Sequence, residues 1–279
     1  MLIDEVRRKA PLVHNMTNYV TINDCANITL ACGASPIMAE AVEEVEEIVS
    51  LADGLNLNMG MLTKEKLKAM IAAGKKANAL GKPVVLDPVG AGASSFRKQA
   101  VEQLLSQIHF TIIRGNLSEI KAIGSDVVEE KGVDSLKQVN ADNLCEAATF
   151  AKSLAGKTGA VIIISGAMDI VADQESVYCV YNGSPLMSKV SGTGCMLSSV
   201  VAAFVSVGKD NPLSAALSAV CAMGLCGEIA EKRMQEADGN ASYRMYLIDA
   251  MYHLDGELLE KGARYALYKG NDDCLCGNR

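Results

Sequence analysis

The chain has 279 residues, 49% of them hydrophobic but only 4% aromatic, with no tryptophan and a formal net charge of −7. That length and composition suit one large α/β domain with an aliphatic core, expected here over residues 1–270, with a flexible tail at 271–279. The acidic balance lacks the basic stripe of a nucleic-acid binder, and the longest apolar stretch, Met196–Val207, is broken by serines and too short to span a bilayer, so no membrane partner is expected.

The chain opens on a short polar turn whose Asp4 and Glu5 precede no long apolar run, unlike a secretory leader. Pro11–Val13 then leads into His14-Asn15-Met16-Thr17-Asn18, a run too polar for a strand interior. It reads as a loop lining a site, which makes Asn15 and Thr17 candidates for substrate contact. A helix is expected over Ile22–Ala31, stopped by Gly33, and a short strand over Ser35–Ala39. The acidic stretch Glu40–Glu47 reads as the solvated face of a surface helix. Gly54–Asn58 alternates like a strand, and Thr63–Leu80 is an amphipathic helix with Thr63 as its N-cap and Gly81 at its stop.

Pro83–Leu86 is a buried strand ending in Asp87-Pro88-Val89-Gly90-Ala91-Gly92. A helix over Ser95–Gln107 leads to the strand Phe110–Ile113, which ends in Arg114-Gly115-Asn116, and a helix from Leu117 carries Glu119 in its first turn. A surface loop is expected at Gly124–Ser135 and a helix at Asn140–Ala155. Ala160–Ile164 is a third apolar strand, ending in Ser165, and Asp169–Ala172 with Ser176–Tyr181 reads as a hairpin at a sheet edge. Helices over about Thr193–Val207, Pro212–Met234 and Ser242–Gly262 complete the chain.

This order predicts an α/β fold of three layers, α/β/α, around a mostly parallel central sheet. Asp87, Arg114–Asn116 and Ser165 then lie at carboxyl ends of strands, the edge where open α/β sheets bind ligands. The turn Gly192-Thr193-Gly194-Cys195 opens a helix, where free backbone N–H groups and the helix dipole favour an anion and where a thiol tends toward thiolate. The nine cysteines form no paired C-x-x-C and are not spaced with His14, His109 or His253 as zinc ligands. A reducing cytoplasm is the expected compartment.

Together these residues make a parts list for phosphoryl transfer. Asp87 and Glu119 can serve Mg2+, which takes one or two carboxylates and fills its other positions with water and phosphate oxygen. Arg114 can neutralise charge on the transferring group, with the Asn116 amide beside it, and Gly192, Thr193, Gly194 and Cys195 can stabilise the moving phosphoryl group. No Walker A sequence is present.

Five motifs in order, H-N-M-T-N-Y-V at His14–Val20, S-P-I-M-A at Ser35–Ala39, D-P-V-G-A-G at Asp87–Gly92, R-G-N-L-S-E at Arg114–Glu119 and S-G-T-G-C at Ser191–Cys195, resemble hydroxyethylthiazole kinases of the ribokinase-like superfamily. The resemblance implies in-line, ATP-dependent phosphorylation of the hydroxyl of 4-methyl-5-(2-hydroxyethyl)thiazole, a step of thiamine biosynthesis and salvage. It implies nucleotide contacts at Arg114 and Ser165, magnesium at Asp87 and Glu119, and thiazole contacts at Met38 and Gly192. It also implies a homotrimer with sites between subunits, in which the Asn15–Asn18 loop and Met38 meet a neighbour's nucleotide site.

Related sugar and pyrimidine kinases carry an aspartate base where this chain has Cys195, as thiazole kinases do; Cys195 is therefore the candidate acceptor of the hydroxyl proton. Ser165 stands where the family often has threonine and keeps the hydroxyl. The rival readings are a nucleotide-dependent cofactor-repair dehydratase of the same superfamily, which keeps the aspartate, and a kinase for another small heteroaromatic alcohol. Further rivals are thiol chemistry at Cys195 and a non-catalytic nucleotide-binding module.

Overall fold

Short apolar runs alternating with amphipathic helices build, in the computed structural model, a sheet covered by helices on both faces, as parallel strands require. The structure describes residues 1–124, 139–140 and 143–270. The first half runs α1 (Ile3–Lys9), β1 (Leu12–Met16), α2 (Ile22–Ala31), β2 (Ser35–Ile37), α3 (Val45–Leu51), β3 (Gly54–Asn58), α4 (Lys64–Ala79), β4 (Val84–Asp87), α5 (Ser95–Gln107), β5 (Ile112–Asn116) and α6 (Leu117–Gly124). The second half runs α7 (Leu144–Thr158), β6 (Val161–Ser165), β7 (Asp169–Ala172), β8 (Val177–Val180), a 3₁₀ turn at Pro185–Lys189, α8 (Thr193–Val207), α9 (Pro212–Arg233), α10 (Asn240–His253), α11 (Gly256–Gly262) and β9 (Tyr265–Leu267).

The sheet order is β2-β1-β3-β4-β5-β6-β7-β8-β9. Every pair from β2 through β6 is parallel, and β6 through β9 pair antiparallel. The expected mostly parallel three-layer architecture therefore stands, and the carboxyl ends of β1 and β3 to β6 share one edge.

Because side chains alternate along a strand, each strand splits its residues between two cores. Leu55, Leu57, Val84, Leu86, Ile113, Ile162 and Ile164 pack on one face. On the other face, Val13, Val85, Ile112 and Ile163 pack with Val200, Val201 and Phe204 of α8. Two residues further along that second face the pattern turns polar: Asn15 follows Val13, Asp87 follows Val85, Arg114 follows Ile112 and Ser165 follows Ile163, with Asn56 and Asn58 on β3. The helix matches it: α8 carries its valines and Phe204 over the apolar half and Cys195, Ser198 and Ser199 over the polar half.

Three expectations need correction. Leu12–Met16 is strand β1, paired between β2 and β3, and not a loop. Its polar side chains are tolerated because other elements supply partners: His14 Nε2 lies 2.8 Å from the Ala39 carbonyl, and the Asn56 amide donates to Asn15 Oδ1 at 3.0 Å. The acidic stretch becomes helical only from Val45; Glu46 and Glu47 face solvent, whereas Glu40 accepts from the Tyr19 hydroxyl and lies 3.7 Å from Lys66 Nζ. The last expected helix divides in two where Asp255 caps α11 by accepting from the Leu258 N–H at 2.8 Å.

The short α1 and the edge strand β9 were also not anticipated. The α9 helix is long and apolar enough by composition to cross a membrane, yet 78% of its most apolar window is buried inside the protein. The expected tail at 271–279 with its cysteines, and most of the expected Gly124–Ser135 loop, lie outside the described residues.

Candidate active site

The first turn of α8 begins at Gly192, whose φ of 89° lies in the left-handed region. A Cβ there would stand 2.3 Å from Thr21 Cγ2, so both the turn and the approach of the Thr21 loop need glycine. Gly194, two residues on, has a different neighbour: an added Cβ would stand 2.6 Å from Arg114 Nη1. The bare backbone at Gly194 is what lets a guanidinium come against the amino end of the helix.

Arg114 reaches that place from β5 and donates from Nη2 to Ser165 Oγ at 2.6 Å, while its Nη1 lies 3.7 Å from Asp87 Oδ1. Asp87, fully buried at the end of β4, receives two hydrogen bonds on Oδ2, from Asn58 Nδ2 at 2.7 Å and Ser198 Oγ at 2.8 Å. Its Oδ1 is buried with no hydrogen-bond partner. Burial pushes the Asp87 carboxyl above the usual carboxylate range; the Glu119 charge pushes the same way, and Arg114, Ser198 and Asn58 pull it back. The four strand and helix ends anticipated from sequence do converge: Asp87, Arg114, Ser165 and the Gly192–Cys195 turn form one cluster.

Cys195 is 9% exposed in the first turn of α8. Its sulfur receives the Asn58 amide at 3.2 Å and the Asn18 amide at 3.5 Å. Burial, followed by the nearby Asp87 charge and the Cys25 thiol, pushes the Cys195 pKa up to about 11. The thiolate expected from the helix N-terminus is thus overridden by desolvation, and the residue is a neutral thiol at neutral pH. A protonated thiol is poorly suited to the base role read for it.

The other anticipated residues sit at varied depths. Glu119 accepts the Gly90 N–H on Oε1 and the Asn116 N–H on Oε2, each at 2.9 Å, which ties the loop after β4 to the end of β5. Asn116 turns its Oδ1 back to the Glu119 N–H and the Ser118 hydroxyl, starting α6. Thr193 donates to the Met187 carbonyl at 3.1 Å. Met38 is half-buried in the stretch after β2. Asn15 and Thr17, at 1% and 3% exposure, present almost no surface in this chain: Asn15 pairs with Asn56, and the Thr17 hydroxyl meets Cys25 Sγ at 3.7 Å. Within this chain both residues support the polar layer from beneath.

Sequence reasoning named Asn18 only as the end of the Asn15–Asn18 loop, and missed Asn58 and Ser198 as site residues, along with Lys66. The Lys66 ammonium is buried, donates to the Thr17 carbonyl and is pushed to lower pKa by desolvation. The usable signal was the period of two on β3, Asn56 and Asn58, in line with Asp87 on the neighbouring strand. Among the described residues, no group of three or more His, Cys, Asp or Glu side chains is placed to hold a metal ion.

Comparison with known proteins adds an independent line. The sequence profile of the Hydroxyethylthiazole kinase family matches residues 3–257. A protein of Clostridium acetobutylicum named hydroxyethylthiazole kinase is 53% identical over 268 residues, which cover 95% of this chain and 98% of that protein. The solved structure of the hydroxyethylthiazole kinase protein from Pyrococcus horikoshii OT3 superposes with a TM-score of 0.84 at 36% identity, covering 96% of this chain and 97% of that one. A pyridoxal kinase from Staphylococcus aureus, solved with ADP, matches with a TM-score of 0.63 at 14% identity over 92% of this chain and 97% of its own, a likeness of fold alone. The architecture is the ribokinase-like one.

Proposed function

From the premise that the chain belongs to the hydroxyethylthiazole kinase family and phosphorylates a thiazole alcohol with ATP, we propose that the transfer takes place at the ends of β4, β5 and β6 against the start of α8. The observation that carries this reading is the contact at Gly194. There the Arg114 guanidinium, the free N–H groups of α8 and the unpartnered Oδ1 of Asp87 meet. Phosphoryl transfer is catalysed mainly by positioning and electrostatics, and a fixed positive charge beside a helix amino end supplies both for a terminal phosphate. Arg114 and the Ser165 hydroxyl bound to it are read as nucleotide contacts. Met38 and Gly192 are read as bordering the thiazole.

The donor set also fits one hard divalent cation. Asp87 Oδ1 is a buried carboxylate oxygen without a hydrogen bond, and the Glu119 oxygens each keep a lone pair beyond the single N–H they accept. Asp87 with Glu119 would hold Mg2+, whose remaining positions fall to water and phosphate oxygen. The ion would neutralise phosphate charge there.

We read the working form as a cytoplasmic homotrimer. Four apolar side chains that lie next to site residues in the chain, Tyr19, Val20, Val42 and Met61, are 49–65% exposed, surface that a neighbouring subunit could cover. Light scattering on a sizing column tests the oligomer. For the function, ADP release is measured in parallel with the thiazole alcohol, hydroxymethylpyrimidine and pyridoxal; preference for the thiazole is expected, and equal rates on all three would overturn the substrate assignment.

A further inference from the structure

Two side-chain amides at the floor of the cleft are oriented by groups that leave them no choice. Asn58 Oδ1 accepts the Gly60 backbone N–H at 2.9 Å, and Asn18 Oδ1 accepts the Val20 backbone N–H at 3.1 Å. A backbone N–H can only donate, so in each residue the oxygen is identified and the nitrogen end must be the donor. Asn58 Nδ2 therefore gives one hydrogen to Asp87 Oδ2 and the other to Cys195 Sγ. Asn18 Nδ2 likewise gives one to Asn58 Oδ1, at 3.0 Å, and the other to Cys195 Sγ.

A thiol sulfur has two lone pairs and one proton. Here two amide hydrogens point at the sulfur, so what remains to it is the proton. The Thr21 hydroxyl, which also lies beside the sulfur, can take that proton, and so can an oxygen bound in the cleft. Thr21 has a freely turning hydroxyl and is held against Gly192.

We propose that Asn18 and Asn58 are positioning residues that make Cys195 a hydrogen-bond donor to the hydroxyl oxygen of the bound alcohol. Asn58, by the same amide, keeps Asp87 turned with Oδ1 free. The inference rests on the cleft being the site of transfer. It reverses the direction assigned to Cys195 by analogy with an aspartate base: the thiol orients the acceptor oxygen and leaves its second lone pair to bond the terminal phosphorus of ATP. The bond from that phosphorus to the bridging oxygen breaks, ADP leaves and the alcohol's own proton passes to an oxygen of the transferred phosphoryl group.

The test reads the S–H stretching band of Cys195 as the infrared difference between wild type and Cys195→Ala, with and without the thiazole alcohol. A band at neutral pH that moves to lower frequency when the alcohol binds is expected. Absence of the band, meaning a thiolate, or a band that the alcohol leaves in place would overturn the proposal. In steady-state kinetics Cys195→Ala loses about tenfold in kcat, the value of one hydrogen bond, with KM for ATP unchanged. Cys195→Ser recovers most of that loss because a hydroxyl also donates.

Asn58→Ala, or Asn18→Ala if the former does not fold, is expected to lower kcat and abolish the alcohol-induced band shift. A shift that persists in the variant would remove the asparagines from the argument. Failure of the site assignment gives a different result: Arg114→Ala would then leave KM for ATP unchanged, whatever the thiol band does.

Discussion

Replacing Gly194 by alanine separates the cleft from the fold. The residue is helical, so alanine is favoured over glycine by up to about 1 kcal/mol, worth about 2–4 °C in melting temperature at most for a chain of this size. The new Cβ, however, would lie 2.6 and 2.7 Å from the two terminal nitrogens of Arg114, where ordinary contact begins at 3.4 Å. The obstacle is the mobile end of a side chain, so the guanidinium withdraws by about 0.8 Å and the backbone stays in place. That movement draws Arg114 off its 2.6 Å bond to Ser165 and away from the phosphate position. A misplacement of about 1 Å costs up to about a hundredfold in rate. Gly194→Ala is expected to melt at or slightly above the wild-type temperature while kcat/KM for ATP falls about thirtyfold to a hundredfold. Coupled ADP-release kinetics and a thermal melt on the same preparation check both numbers. Wild-type kcat/KM for ATP would refute the reasoning, as would a drop in activity that merely follows a drop in melting temperature.

The neighbouring glycine behaves differently: Gly192→Ala meets both a φ of 89° and a Cβ 2.3 Å from Thr21, and urea unfolding is expected to show a loss of at least about 2 kcal/mol; an unchanged midpoint would contradict this. Asp87 holds its proton longer folded than unfolded. Its contribution to stability is therefore full below the ordinary carboxylate range and is lost as pH rises from there through the raised folded value. In metal-free buffer the wild type is expected to lose stability from pH 4 to 7 more steeply than Asp87→Asn, which is also inactive; parallel curves would remove Asp87 from the account. Cys195, raised from 9.0 to about 11, carries a thiolate fraction at neutral pH about a hundredfold below that of an unperturbed thiol. Among the described cysteines, iodoacetamide is expected to label exposed Cys145 first, and the Cys195 rate to climb tenfold per pH unit to about 11. A plateau near pH 8 would mean a reactive thiolate.

What could be read from sequence follows what local chemistry determines. The extents of α2, β3, α5 and α8 match their expected boundaries because small stop or cap residues mark them and an apolar run fills each. Asp87, Arg114 and Ser165 were legible as strand-end residues because polar side chains stand directly after apolar runs. Strand β1 was not, because His14 and Asn15 look like loop residues until Ala39 and Asn56, 25 and 41 residues away, satisfy them. Asn58 and Ser198 escaped for the same reason: their roles exist only through partners brought together by β-strand register and by the placement of α8 across the sheet. The thiol at Cys195 was misjudged because the favourable helix end is visible in sequence, whereas the burial and the Asp87 charge that outweigh it are not.

The helix whose first turn forms the cleft also runs deep in the molecule, with Met196 through Val205 buried without interruption. Thermodynamic linkage then joins occupancy of the cleft to the persistence of the whole core. A ligand at a hundred times its dissociation constant adds about 2.7 kcal/mol to the folded state. Because α8 cannot loosen by itself, that increment is felt globally, and a simple melting curve becomes a sensor of which nucleotides and alcohols the protein accepts.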